Sequence, residues 1–300
     1  MNWNVARVFA RIVVLLLFVG SLIALLHSCK HGMRPSSVAD ILSVFNRLQA
    51  SRHVRAGEAL FSQGRVDEAK TQLSKALELD PKSFTAHSLF IVVYLSEGDV
   101  RSVEKLFKHA EANLPIEQVS LLYTYAGDRC AFFEPRNWDA AERYYRRALI
   151  LNPRNAVALN NYGYALAERG IKLEKAEELI KRALELEPNN GAYLDSLGWV
   201  YYKQGRYEEA IELIEKAIKL QPDDAELHYH LGMAYMAVGR LEDAKRQFEE
   251  ALKMNPNHKG ASDAIKQLEQ EEEENTARGN GLSVFNQHFT VLGIDRCAVQ

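Results

Sequence analysis

Cysteine is scarce in this 300-residue chain, with single residues at positions 29, 130 and 297. Three scattered thiols form no disulfide framework, and none belongs to a Cys-x-x-Cys pair of the kind that binds zinc, so they leave the redox compartment open. A surplus of positive charge is missing too: 37 Lys and Arg face 40 Asp and Glu, for a formal net charge of −3. Nucleic-acid binders usually carry a basic excess, so that class is disfavoured. The chain also lacks His-Glu-x-x-His, Gly-x-Ser-x-Gly and Gly-x-x-x-x-Gly-Lys-Ser/Thr, the signatures of zinc peptidases, serine hydrolases and phosphate-binding loops. His228 and His230 stand two apart on a helix and point in different directions, a poor metal pair, and His228 falls on an apolar stripe where packing is expected. Cys130 has no activating neighbour in sequence and reads as a small core residue. The expectation is a chain that is not an enzyme and needs no metal or cofactor.

Long apolar runs are rare as well, with one exception at the start, in MNWNVARVFARIVVLLLFVGSLIALLHSCKHG. The weakly polar run from Ile12 to Leu26 spans 15 residues. As a helix it is about 22 Å long, short of the roughly 30 Å hydrocarbon core and close to the length of a signal-peptide core. Starting instead at Val5, with Arg11 snorkelling, gives a 22-residue span able to stay in the membrane. The stretch LLHSC resembles a bacterial lipobox through Leu26, Ser28 and Cys29, with His27 standing where a small residue is usual. That resemblance implies cleavage and lipidation at Cys29; the alternative is an uncleaved helix whose cysteine lies at the interface. Arg7 and Arg11 on one side and Lys30 and Arg34 on the other leave the orientation open. Both alternatives hold the protein at a membrane, and the periplasmic face is the expected location.

Prolines are few, but their placing is regular. Pro81, Pro115, Pro153, Pro188, Pro222 and Pro256 follow one another at intervals of 34, 38, 35, 34 and 34 residues. Each closes a segment with helical apolar periodicity, such as AIELIEKAIKLQP, because proline cannot continue a helix and restricts the residue before it. Gly64, Gly98, Gly170, Gly205 and Gly239 break each unit in the middle, where a left-handed residue can turn the chain between two helices. One unit is therefore helix, turn, helix, proline. LGWVYYKQGRYEEA from Leu197 and LGMAYMAVGRLEDA from Leu231 repeat the same letters 34 residues apart.

These letters resemble the tetratricopeptide repeat. Leu197, Gly198, Tyr201, Ala210, Ile214, Ala217 and Pro222 match its positions, as do Leu231, Gly232, Tyr235, Ala244, Phe248, Ala251 and Pro256. The first unit offers Ala56, Gly57, Leu60, Ala69, Leu73, Ala76 and Pro81. The match is weaker where Ile91 and Val103 replace small residues, and where the unit ending at Pro153 carries four extra residues around AFFEPRNW. The resemblance implies an all-α fold, a superhelical solenoid of about six units (50–83, 84–117, 118–155, 156–190, 191–224 and 225–258). Residues 1–29 are read as signal or anchor, 30–49 as linker and N-terminal cap, 259–274 as a capping helix and 275–300 as a tail. Within a unit, Leu194, Leu197, Gly198 and Tyr201 share one helix face and meet the second helix, where Gly198 opposes Ala210. No unit hides its apolar stripe alone, so neighbours must stack.

The resemblance also implies that the opposite stripe of the first helices lines a concave groove that binds a protein or peptide. On that stripe stand Asn160, Asn161 and Tyr164; Asp195, Ser196, Trp199, Tyr202 and Lys203; and Tyr229, His230, Met233 and Met236. Trp199 lies outside the repeat signature. It is either an interface anchor or, with Tyr202 and the methionines, a seal between adjacent first helices. Lys203 is the one base on the stripe, so an acidic C-terminal tail is a poor ligand. The expected function is a non-catalytic, membrane-anchored scaffold or adaptor in bacterial envelope assembly. The alternatives are a cytoplasmic assembly factor at the inner membrane and, less favoured, an enzyme built on the repeats.

Overall fold

The computed structural model describes residues 38–270. The N-terminal apolar run, Cys29, Cys297 and the tail from 275 lie outside the described residues. Among the described residues there are twelve helices, besides a helical stretch at their C-terminal end, and no strand. None of these helices is long and apolar enough to cross a membrane.

The chain divides into two compact units at Leu114 and Pro115. The first holds α1 (Val38–Ser62), α2 (Val66–Leu79), α3 (Phe84–Ser96) and α4 (Val100–Asn113). The second holds α5 (Ile116–Phe132), α6 (Trp138–Leu151), α7 (Ala156–Glu168), α8 (Leu173–Leu186), α9 (Gly191–Lys203), α10 (Tyr207–Leu220), α11 (Ala225–Ala237) and α12 (Leu241–Met254). A further helical stretch runs from 259 to 270. Consecutive helices pair as hairpins, and in the second unit the first helices α5, α7, α9 and α11 also pack side by side.

The prolines act one step earlier than the sequence suggests: α2, α6, α8, α10 and α12 each end two residues before their proline. The residue between, Asp80, Asn152, Glu187, Gln221 or Asn255, is drawn out of the helical region (Asn152 φ −137°, ψ 93°), because a following proline disfavours the α conformation. Two residues after the proline the next helix is capped. Ser83, Asn155, Asn190 and Asp224 each accept a backbone N–H of the first turn, and His258 Nδ1 does the same for Ala261 at 3.1 Å. Proline, spacer and cap thus stop one helix and start another within three residues. At the middle break Gly205 adopts φ 78°, and Gly64, Gly98, Gly170 and Gly239 are left-handed too. The α5–α6 hairpin has no such glycine. Its four extra residues lengthen α5 to 17 residues against 13 in α7, α9 and α11, and a connection with a cis Glu134–Pro135 bond follows.

Hairpins close on small residues. A Cβ on Gly198 would sit 2.6 Å from Ile214 Cγ1 and 3.2 Å from the Ala210 carbonyl oxygen, so the partner is Ala210's backbone together with Ile214. At Gly163 the distances are 2.6 Å to Ile180 Cγ1 and 2.9 Å to the Ala176 carbonyl. Gly163→Val is therefore expected to overpack α7 against α8 by about 1–3 kcal/mol. A thermal melt should fall by several degrees; an unchanged midpoint would show that the hairpin yields freely. The signature residues Leu197, Ala210, Ile214 and Ala217, and Leu231, Ala244, Phe248 and Ala251, are all buried. Ile91 and Val103, the bulkier departures in the first unit, are buried as well.

Both ends carry helix. Ala261, Ala264 and Leu268 of the 259–270 stretch are buried, while Ile265 is half-exposed. At the other end α1 runs unbroken from Val38, so residues 38–49 prolong the first helix of the first unit. In that unit His87 is fully buried, and its Nδ1–H donates to the Ser83 carbonyl at 2.8 Å. Its bare Nε2 must then accept from His109 Nδ1–H at 2.9 Å, and burial pushes the His87 imidazole below its ordinary value.

Candidate partner-binding face of the second unit

The stripe opposite the repeat core divides into two layers. Asn160, Asp195, Ser196, Trp199 and His230 are buried, with exposures of 7, 5, 5, 4 and 1 %. Asn161, Tyr164, Tyr202, Lys203, Tyr229, Met233 and Met236 are half-exposed. The first set makes a floor, and the second stands over it.

His230 is the centre of the floor. Its Nδ1 meets Asp195 Oδ2 of α9 at 2.9 Å, and its Nε2 lies 3.4 Å from Glu226 Oε1 one turn back on α11. Burial alone would push the imidazole down, but Asp195 and then Glu226 outweigh it and lift it to about 10. The ring is therefore an imidazolium at neutral pH, donating from both nitrogens. The hydrogen bond from His230 likewise holds Glu226 below the usual carboxylate range, and His258 Nε2 approaches the other Glu226 oxygen at 3.1 Å. Trp199 stacks on His230 with ring centroids 4.1 Å apart and on Tyr202 at 4.7 Å. Its indole N–H donates to Glu168 at the end of α7. Lys203 Nζ lies 4.6 Å from the Trp199 ring centroid. Tyr164 and Tyr229 flank the imidazolium at 6.3 and 5.8 Å. One aromatic-ionic cluster thereby joins α7, α9 and α11.

The Trp199 ring is covered in the free protein and packs between adjacent first helices, against His230 of α11 and with its indole N–H on Glu168 of α7. The two asparagines belong to a separate cluster nearer α5. Asn161 Nδ2 donates to Asp128 at 3.0 Å, Tyr145 O–H donates to the same carboxylate at 2.7 Å, and Asn160 Nδ2 donates to Asn161 Oδ1 at 3.2 Å. Burial pushes Asp128 above the usual carboxylate range, against these hydrogen bonds. Asn160 Oδ1 is buried and has no hydrogen-bond partner among the described residues. Ser196 joins neither cluster; its hydroxyl donates to the Ala192 carbonyl of its own helix at 2.8 Å. Met233 and Met236 sit half-buried on α11.

Sequence reasoning missed Glu226, Glu168 and Asp128. Glu226 was within reach, since it stands four residues before His230 on the same helix. Glu168 and Asp128 come from other repeats at unequal offsets, and only packing brings them in. His228 is a packed residue as expected, with Nδ1 2.7 Å from Gln247 Oε1. Cys130 is buried, and its thiol is pushed up to about 11 by that burial. No group of three His, Cys, Asp or Glu able to hold a metal occurs among the described residues.

Comparison with known proteins places this geometry. TPR repeat-containing protein PA4667 of Pseudomonas aeruginosa is 35 % identical over 157 residues, covering 51 % of this chain and 25 % of that protein. Type IV pilus assembly protein PilF of the same organism is 29 % identical over 117 residues, covering 39 % of this chain and 31 % of its own length. The chain thus spans only a quarter to a third of these curated relatives. Among solved structures, the APC/C hetero-tetramer Cut9–Hcn1 matches with a TM-score of 0.53 at 22 % identity, over 73 % of this chain and 42 % of that one, a likeness of fold alone. Residues 27–278 match the family model described as the Cilia and flagella-associated protein 70 C-terminal domain. With most of its length under that model and paired helices repeating on the tetratricopeptide pattern, the chain belongs to this tetratricopeptide-repeat family.

Proposed function

We propose that this chain is a non-catalytic adaptor, held at a membrane by its N-terminal segment, whose second unit grips an extended stretch of a partner protein along α7, α9 and α11. The observation that supports this reading is the two-layered stripe. Half-exposed aromatic, amide and thioether groups stand on a floor fixed by buried ion pairs and stacked rings. Side chains whose rotamers are already set lose little entropy on binding. Met233 and Met236 adapt to varied apolar side chains.

The tether is either an uncleaved helix or a lipid on Cys29, and fatty-acid labelling of Cys29 separates the two. A role in assembling a bacterial envelope structure is consistent with the tether and with the likeness to a relative named for pilus assembly. Photocrosslinking tests the binding face. A photoreactive residue at Met233 or Tyr202 is expected to capture a discrete partner band in cells, and one at Lys216 on α10 is not. Equal capture at both places would remove the stripe as the binding face.

A further inference from the structure

The first twelve residues of α1 present an unusual surface. Burial along this helix begins only at Ala50. Before it, Leu42, Val44, Phe45 and Leu48 are 54, 45, 38 and 60 % exposed. At the helical period Ile41, Val44, Phe45 and Leu48 fall within an arc of roughly 100°, an amphipathic stripe. Arg52 and Arg55, both exposed, continue the same stripe toward the body of the unit, while Asp40 and Glu58 fall to its side.

We propose that this stripe is a membrane-surface helix, with its apolar residues in the headgroup region of an anionic bilayer and Arg52 and Arg55 against lipid phosphates. Charge complementarity favours this occupant. Between positions 30 and 58 the sequence has five basic residues (Lys30, Arg34, Arg47, Arg52 and Arg55) against two acids (Asp40 and Glu58), in a chain whose net charge is −3. Apolar residues on one face beside arginines are the composition of helices that lie in the interface, and clustered basic charge adds attraction to anionic lipid. Chain length agrees: eleven residues separate Leu26, the end of the apolar run, from Val38. They reach at most about 40 Å, so a run seated in lipid keeps α1 at its surface. The inference rests on the tether reading only for that proximity. A second copy laid on the stripe would offer its arginines two carboxylates at the side, Asp40 and Glu58, whereas a bilayer surface offers a dense field of phosphates.

The test uses the full chain with vesicles of phosphatidylcholine, with or without phosphatidylglycerol. An environment-sensitive non-coded residue replaces Leu48 on the stripe or Glu58 off it, and the quencher is a lipid-borne nitroxide. The expected result is strong quenching at position 48 in phosphatidylglycerol vesicles, little at 58, and a several-fold weaker effect in pure phosphatidylcholine. Arg52→Glu with Arg55→Glu should abolish the preference for anionic lipid without changing the circular dichroism spectrum. A chain that binds the vesicles while position 48 stays unquenched overturns the surface helix and spares the tether. Failure to bind at all overturns both. A lipid-independent blue shift that grows with protein concentration would assign the stripe to a second copy.

Discussion

His230→Ala is expected to destabilise the second unit by about 3–5 kcal/mol, the usual result of removing one partner of a buried ion pair. The substitution leaves Asp195 with a buried charge, takes a hydrogen bond from Glu226 and strips the stacking partner from Trp199. Chemical denaturation followed by helical circular dichroism measures the loss. A companion variant separates lost pairing from lost volume. With Asp195→Leu and His230→Leu together, apolar groups replace both charges, and most of the stability should return. If His230→Ala melts within a degree of the wild type, the ion pair is not holding the helices together.

The same group sets a pH dependence. His230 is raised from its ordinary value near 6.5 to about 10 on folding. A group raised on folding binds its proton more tightly in the native state, so its contribution is complete below about pH 6.5 and is lost as pH climbs toward 10. The groups facing it are Asp195 and Trp199 from α9, Tyr164 from α7, and Glu226 and Tyr229 on its own helix. Burial raises both tyrosines first, and nearby carboxylates add to it, so they stay neutral over much of that window. The second unit should therefore melt progressively lower between pH 6.5 and 10, and His230→Gln should flatten that slope. An identical slope in the variant would place the titration elsewhere.

Trp199→Ala is the second large effect, at about 3–5 kcal/mol for truncating a buried tryptophan. At 4 % exposure the ring has little surface left to give to a partner. It stacks on His230 and Tyr202 and fixes Glu168 through its indole N–H, so its loss loosens α9 against both α7 and α11. Partner binding should fall along with stability. Tyr202→Ala, which removes a half-exposed ring, should instead weaken partner capture more than it lowers the melting point. A Trp199→Ala protein with wild-type melting and no partner binding would restore the open-anchor role that its burial argues against.

Much of the fold was legible because tetratricopeptide units carry their structural instructions locally. Proline, spacer and capping residue lie within three positions, a left-handed glycine marks each turn but one, and the close approach of Gly198 to its partner helix is written as a missing side chain. The one hairpin built otherwise, α5–α6, was visible as four extra residues but not as a longer first helix. The N-terminal cap was less legible: hydrophobicity alone did not show that residues 38–49 continue α1 with Leu42, Val44 and Leu48 exposed.

The sequence by itself determined the period, the closing of second helices at each proline to within one residue, the core letters and which residues share the opposite stripe, since all of these depend on neighbours along one helix or one hairpin. Only the tertiary structure decided which stripe residues are floor and which are surface. Asp195 and His230 are 35 residues apart and Glu168 and Trp199 are 31 apart, and the distance between such groups is set by how successive first helices stack. Burial, protonation and accessibility follow from that stacking, because a charge or a ring is worth little in water and a great deal once its neighbours have displaced the solvent around it.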